Sequence, residues 1–220
     1  MKKINAPRKL IFAVFCGVSI ISTLLFGCSR NSDTQTAGSN TELTTSKTTP
    51  STSTTVVQAS PGEVTMSISV SQQQIAPGDN FTVNVIESTT IPSRGAQCAL
   101  SFDPSAVTCD SSTVGDFYST WANDNSCQTV DFPTQPTIDN TAGTVSTVGV
   151  AIIGEDVGMQ KNGIPGGVTG QGVFYSFDMT ANAGVSKTIN FILSNVEIDT
   201  ADAQEIQGVT SSNATVTIGP

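Results

Sequence analysis

IPSRGAQCALSFDP, running from Ile91 to Pro104, is the stretch whose reading decides the fold. Its first residues read as a loop that turns at Gly95. Beyond the turn, Ala96, Cys98, Leu100 and Phe102 share one side of a period-two pattern, and Gln97, Ala99 and Ser101 share the other. Asp103-Pro104 ends the strand, because proline has no N–H to give to a ladder. A strand with one apolar face needs a sheet and a second layer to cover it.

The pattern continues on both sides. Val64, Met66, Ile68 and Val70 alternate with small polar residues, Ala76-Pro77-Gly78-Asp79 reads as a turn, and Phe81, Val83 and Val85 begin a second strand. After Pro104, Val107 and Cys109 continue as a short fourth strand. Residues 110–143 are irregular, with a short apolar piece at Val130-Asp131-Phe132. Val145 to Ile153 is a strand apolar on both faces, followed by a glycine-rich loop from Gly154 to Gly172. Val173 to Ala181, Thr188 to Ile198 and Ala214 to Ile218 complete about nine strands, with no helix signal between them. The expected class is an all-β sandwich, and roughly 155 residues suffice for one core.

Composition narrows the function. The 220 residues include no histidine, which removes His-based triads and imidazole metal sites. From Cys28 onward there are five basic and eighteen acidic residues, a net charge of −13. So acidic a body is unsuited to nucleic acid, whose phosphates call for Lys and Arg.

Residues 1–28 read as a targeting segment. Lys2, Lys3, Arg8 and Lys9 precede an apolar run from Leu10 to Phe26, which ends at Gly27-Cys28. This resembles a bacterial lipoprotein signal lipidated at Cys28. An uncleaved membrane anchor and plain secretion are the alternatives, and all three place the remainder outside the cytoplasm. Residues 29–62 are about half Ser and Thr and read as a flexible stalk, with a reach of roughly 30 Å as a coil. The folded domain is expected over 63–220.

Several motifs then form one resemblance. Pro77-Gly78-Asp79, Pro92-Ser93-Arg94-Gly95, Phe102-Asp103-Pro104 and Gly115-Asp116-Phe117 occur in the order and spacing of type I cohesins. So do Ile152 to Gly158, Gly172-Val173-Phe174, Ala183-Gly184 and Ala214 to Ile218. The resemblance spans about residues 64–219. It implies a jelly-roll sandwich of nine strands, related to cellulose-binding-module sandwiches. In that family the third, fifth, sixth and eighth strands form a sheet whose flat face meets a dockerin. By position, Gln97 and Ala99, Val150 and Ile152, and Glu155 and Gly158 would form that face. If Val145, Ala151 and Ile153 pack the core, then Val148, Val150 and Ile152 are exposed, and an exposed apolar patch marks a contact surface. The chain departs from the family at Gln97-Cys98-Ala99. Many cohesins have Asn-Cys-Asp there, and Ala99 cannot accept the hydrogen bonds of that Asp.

The resemblance implies a non-catalytic, surface-anchored module that docks a dockerin-like protein in polysaccharide degradation or cell-surface assembly, with calcium carried by the partner and no cofactor or metal of its own. A carbohydrate-binding module and a structural or adhesive envelope domain are the alternatives, with polysaccharide the ligand of the first. Among the remaining candidates, Cys98 reads as a buried thiol, and Cys109 and Cys127 as a disulfide pair with Cys98–Cys109 its rival. The carboxylates Glu155-Asp156 and Asp199, Asp202 and Glu205 do not match an EF-hand loop and read as solvated charges. Trp121, Tyr118 and Tyr175 read as core or rim aromatics rather than a sugar platform.

Overall fold

The computed structural model describes residues 56–154 and 166–219. The signal segment, most of the stalk, Glu155, Asp156 and Gly158 lie outside them. The strands are β1 (Val57–Gln58), β2 (Val64–Val70), β3 (Gln74–Ile75), β4 (Asn80–Ser101) and β5 (Val107–Val114). A helix α1 (Phe117–Asp124) follows, then β6 (Gln128–Phe132), β7 (Ile138–Asp139), β8 (Thr144–Ile153) and β9 (Val168–Ala181). The last are β10 (Lys187–Thr200), β11 (Ile206–Gln207), β12 (Thr210–Ser212) and β13 (Ala214–Ile218).

The expected all-β sandwich is present, and its organising element is β4. This strand runs 22 residues and belongs to both layers. Its first half pairs with β2 on one side and β9 on the other, and β5 and β12 extend that layer. Its second half pairs with β8 and β10, and β6, β7, β13 and β3 extend the second layer. Counting each half of β4 separately, and leaving aside the strands of two or three residues, gives the nine strands that the sequence implies.

The turn expected at Gly95 is absent. Gly95 lies within β4, opposite Ala151 on one side and Asp199 on the other. The glycine serves close approach rather than a turn, because a Cβ there would stand 3.2 Å from the Val150 carbonyl oxygen. The corner sits earlier, where the pairing with β9 shifts register between Thr89 and Ser93. There the buried Thr89 hydroxyl donates to the Ile91 carbonyl at 2.7 Å and accepts from the Ile91 N–H at 3.1 Å, satisfying groups the ladder leaves open.

The other turns fall where their residues require. Gly78 takes φ +92°, and the Asp79 N–H donates to the Ala76 carbonyl at 3.0 Å. Asp103 accepts from the Ser105 N–H and hydroxyl at 2.9 and 2.6 Å, and Lys187 pairs with it at 2.7 Å. The fold also begins before Glu63, since β1 pairs in parallel with β11.

The helix α1 corrects the expectation of none. It carries few good helix formers, and its N-cap Asp116 makes no side-chain capping bond, so the usual start signal was missing. Tertiary packing holds it instead. Phe117, Tyr118 and Ala122 are buried, and glycines let the helix approach β9. A Cβ on Gly115 would stand 2.0 Å from the Val173 carbonyl oxygen, and one on Gly172 2.6 Å from the Phe117 ring. From α1 a ladder of rings runs through the core, Phe117–Tyr118–Phe174–Tyr175–Phe177, at centroid spacings of 5.2, 6.1, 5.8 and 5.6 Å. Tyr118 and Tyr175 therefore serve packing.

Candidate functional site

The outer face of the second layer runs across β6, β8, the second half of β4 and β10. Cross-strand register brings its residues together. Gln97 stands opposite Gly149 and Glu197, Ala99 opposite Ser194, and Ser101 opposite Ile192. Val130 stands opposite Ala151, and Phe132 opposite Gly149. Ala96, Cys98 and Leu100, on the other side of β4, are at most 3% exposed, so Gln97 and Ala99 do face outward as parity requires.

Strand β8 corrects the rest of the expected face. Val150 and Ile152 are buried, at 0% and 3% exposure, and Val148 is buried with them. Ala151 is half-buried and Ile153 is 45% exposed. The cause is a bulge. Cys98 pairs with Val148 but Leu100 pairs with Val145, so β8 spends one residue more than β4 between these points. An added residue exchanges the faces of everything beyond it. Val145 points inward as expected, and after the bulge Val148, Val150 and Ile152 point inward too. The signal lay in Val145-Ser146-Thr147-Val148, where two adjacent polar residues interrupt strict alternation.

The corrected face is apolar toward β6 and acidic toward β10. Val130, Phe132, Ile153 and Ile192 are 40–46% exposed, a high value for large apolar side chains on a sheet. The Phe132 ring lies over Gly149, where a Cβ would stand 2.2 Å from it, so the missing side chain keeps this region flat. Across the sheet the Gln97 amide donates to Glu197 at 2.8 Å. Burial, then the Asp199 and Glu205 carboxylates, raise the pKa of Glu197; burial and Glu205 raise that of Asp199. Glu155 and Gly158, also expected here, lie outside the described residues, as does the lipidation candidate Cys28. Sequence reading missed Val130, Phe132, Ile153, Ile192 and Glu197, although the alternation in Val130-Asp131-Phe132 marked two of them.

Cys98, Cys109 and Cys127 are free and buried, which corrects the expected Cys109–Cys127 disulfide. Cys109 is on β5 in the first layer, while Cys127 precedes β6 in the second, so the two thiols belong to opposite layers. Burial pushes the Cys98 thiol up to about 12, aided by Glu87, and the Cys109 thiol up to about 12, aided by Asp110 and Asp178. Neither is a thiolate at neutral pH. Among the described residues no group of three His, Cys, Asp or Glu side chains is placed to hold a metal. One polar cluster is deeply buried. Glu87 accepts from the Tyr118 hydroxyl at 2.9 and 3.0 Å and from the Ser93 hydroxyl at 3.0 Å. Beside it the Arg94 guanidinium stacks on Trp121 at 4.7 Å and donates to the Gly166 carbonyl.

Comparison with solved structures identifies the architecture. A non-cellulosomal cohesin from the hyperthermophilic archaeon Archaeoglobus fulgidus superposes with a TM-score of 0.51 at 14% identity, over 72% of this chain and 92% of its own. A type II cohesin in a cohesin–X-dockerin complex from Acetivibrio cellulolyticus gives 0.54 at 11% identity, over 71% and 99%. A cohesin of a type I cohesin–dockerin complex from Clostridium thermocellum gives 0.50 at 14% identity, over 70% and 99%. No family model matches the chain, and no curated protein does. The fold is that of cohesin domains.

Proposed function

We propose that this domain is a non-catalytic docking module that binds a dockerin-like protein through the outer face of β6, β8, β4 and β10. The observation that carries this reading is an apolar strip on a cohesin fold, in which Val130, Phe132 and Ile153 are exposed beside the half-buried Ala151. Burying such a strip supplies the favourable free energy of association, and the Glu197 side of the face favours a partner with basic residues at the matching rim. With Ala99 in place of an acceptor, specificity rests on apolar fit and on Gln97 and Glu197. The signal-like segment and stalk would hold the domain outside the cytoplasm on a lipid attached at Cys28, and calcium would be carried by the partner. A role in polysaccharide degradation or cell-surface assembly follows from such docking.

The test is calorimetric titration with purified dockerins, with calcium and with chelator, alongside capture from the organism's own extract with the captured proteins identified. Chelator-sensitive binding of a dockerin is expected. Ile153→Asp and Val130→Asp should weaken it by about 2 kcal/mol or more while leaving the melting temperature nearly unchanged. Ile152→Asp should unfold the domain instead, because it places a carboxylate in the core. Absence of chelator-sensitive binding, or binding indifferent to both surface substitutions, overturns the reading.

A further inference from the structure

A concave site that shares no lining residue with the strip lies between α1 and the first residues of β9. It is a groove of about 340 Å³, within the range of small-ligand sites. Its lining includes Asp116, Thr120, Trp121, Asp124, Thr169 and Gln171. We propose that this groove is a saccharide-binding subsite that takes a short stretch of a neutral glycan.

The wall is fixed before any ligand arrives. Gly115 and Gly172 set α1 hard against β9, and Tyr118 ties the helix to Glu87 and Ser93 in the core. Trp121 is held by the Arg94 guanidinium stacked on its ring, and the same indole lines the groove. A fixed indole offers the apolar face of a pyranose a surface at little cost in side-chain entropy. Around it stand hydroxyl, amide and carboxylate groups of the kinds that exchange hydrogen bonds with sugar hydroxyls. Asp116 is at the helix N-cap yet makes no capping bond, so its carboxylate is not committed to the backbone.

The lining also selects the ligand class. Among the described residues, two carboxylates and no Lys or Arg line the groove, which disfavours anions. A purely apolar ligand would strand the polar side chains without partners. Among the described residues no carboxylate cluster suits a metal ion. A neutral polyol with one apolar face meets all three conditions.

Trp121 is the single tryptophan of the chain, so its emission reports directly on the groove. The experiment titrates the full chain with cellobiose, xylobiose, maltose and diacetylchitobiose, with galacturonic acid as the anionic control. A saturable change in emission is expected with at least one neutral disaccharide and none with the acid. Gln171→Ala and Asp124→Ala, both at exposed positions, should each weaken binding about tenfold with circular dichroism and melting temperature unchanged. Absence of a saturable change with all four disaccharides, saturation by the acid, or a response that survives both substitutions overturns the proposal. None of these readouts involves the β6–β8 strip, so either proposal can fail without the other.

Discussion

Glu87 shows how much one residue can hold in place. It is fully buried where β4 turns between layers, with two hydroxyls that donate to it and, among the described residues, no basic group hydrogen-bonded to it. Burial pushes its carboxyl up to about 7, against which the Tyr118 and Ser93 hydrogen bonds act only partly. The native carboxyl therefore keeps its proton to a higher pH than the unfolded one. The stabilisation is complete below about 4.5, falls as pH rises and is lost once pH passes about 7. The loss is on the order of 3 kcal/mol. The melting temperature should drop between pH 5 and pH 8, and Glu87→Gln should flatten that drop. A small slope should remain from Glu197 and Asp199, which are raised in the same direction. An unchanged slope in Glu87→Gln would refute this account. Asp103, held at about 2 first by the Lys187 hydrogen bond, acts with the opposite sign in a more acidic window.

At the scale of the element, α1 depends on backbone approach more than on its own propensity. Gly115→Ala would bring a methyl against a β9 carbonyl that cannot move aside, whereas at Gly172 the contact is with the Phe117 ring. Gly115→Ala should cost about 1–3 kcal/mol, read as a lower midpoint in urea. The same contrast explains what the sequence could tell. Alternation revealed β2, β4, β9, β10 and β13 because each buries one face along most of its length. It could not reveal α1, whose hold is tertiary, nor the continuity of β4 through Pro92 and Gly95, where turn-forming residues serve a corner and a close approach. At the site, parity put Gln97 and Ala99 on the outward side of β4 because β4 itself keeps strict alternation there, the added residues falling on its neighbours β8 and β10. It misplaced Val150 and Ile152 because one added residue in β8 lies between them and Val145.

For the whole molecule, the three thiols of the domain bear on how it is held together. With Cys98, Cys109 and Cys127 free, stability rests on the core and the ladders rather than on a cross-link. In denaturant without reductant, all three should be alkylated, and reductant should leave the melting temperature unchanged. A mass showing two of them protected would restore the disulfide.

The passage of β4 through both layers has a mechanical consequence. A pull entering the domain ahead of Val57 reaches β2, which lies antiparallel to β4 with seven consecutive paired residues. Val64 pairs with Thr89, where β4 leaves the ladder toward the second layer, so the load enters and leaves at one end and opens the hydrogen bonds one by one from there instead of shearing them together. It then travels along the covalent backbone of β4 into the half that bears Gln97 and Ala99. Tension between a tether and a bound partner would thus cross the domain along a single strand, without having to pass through the packed interface between the layers.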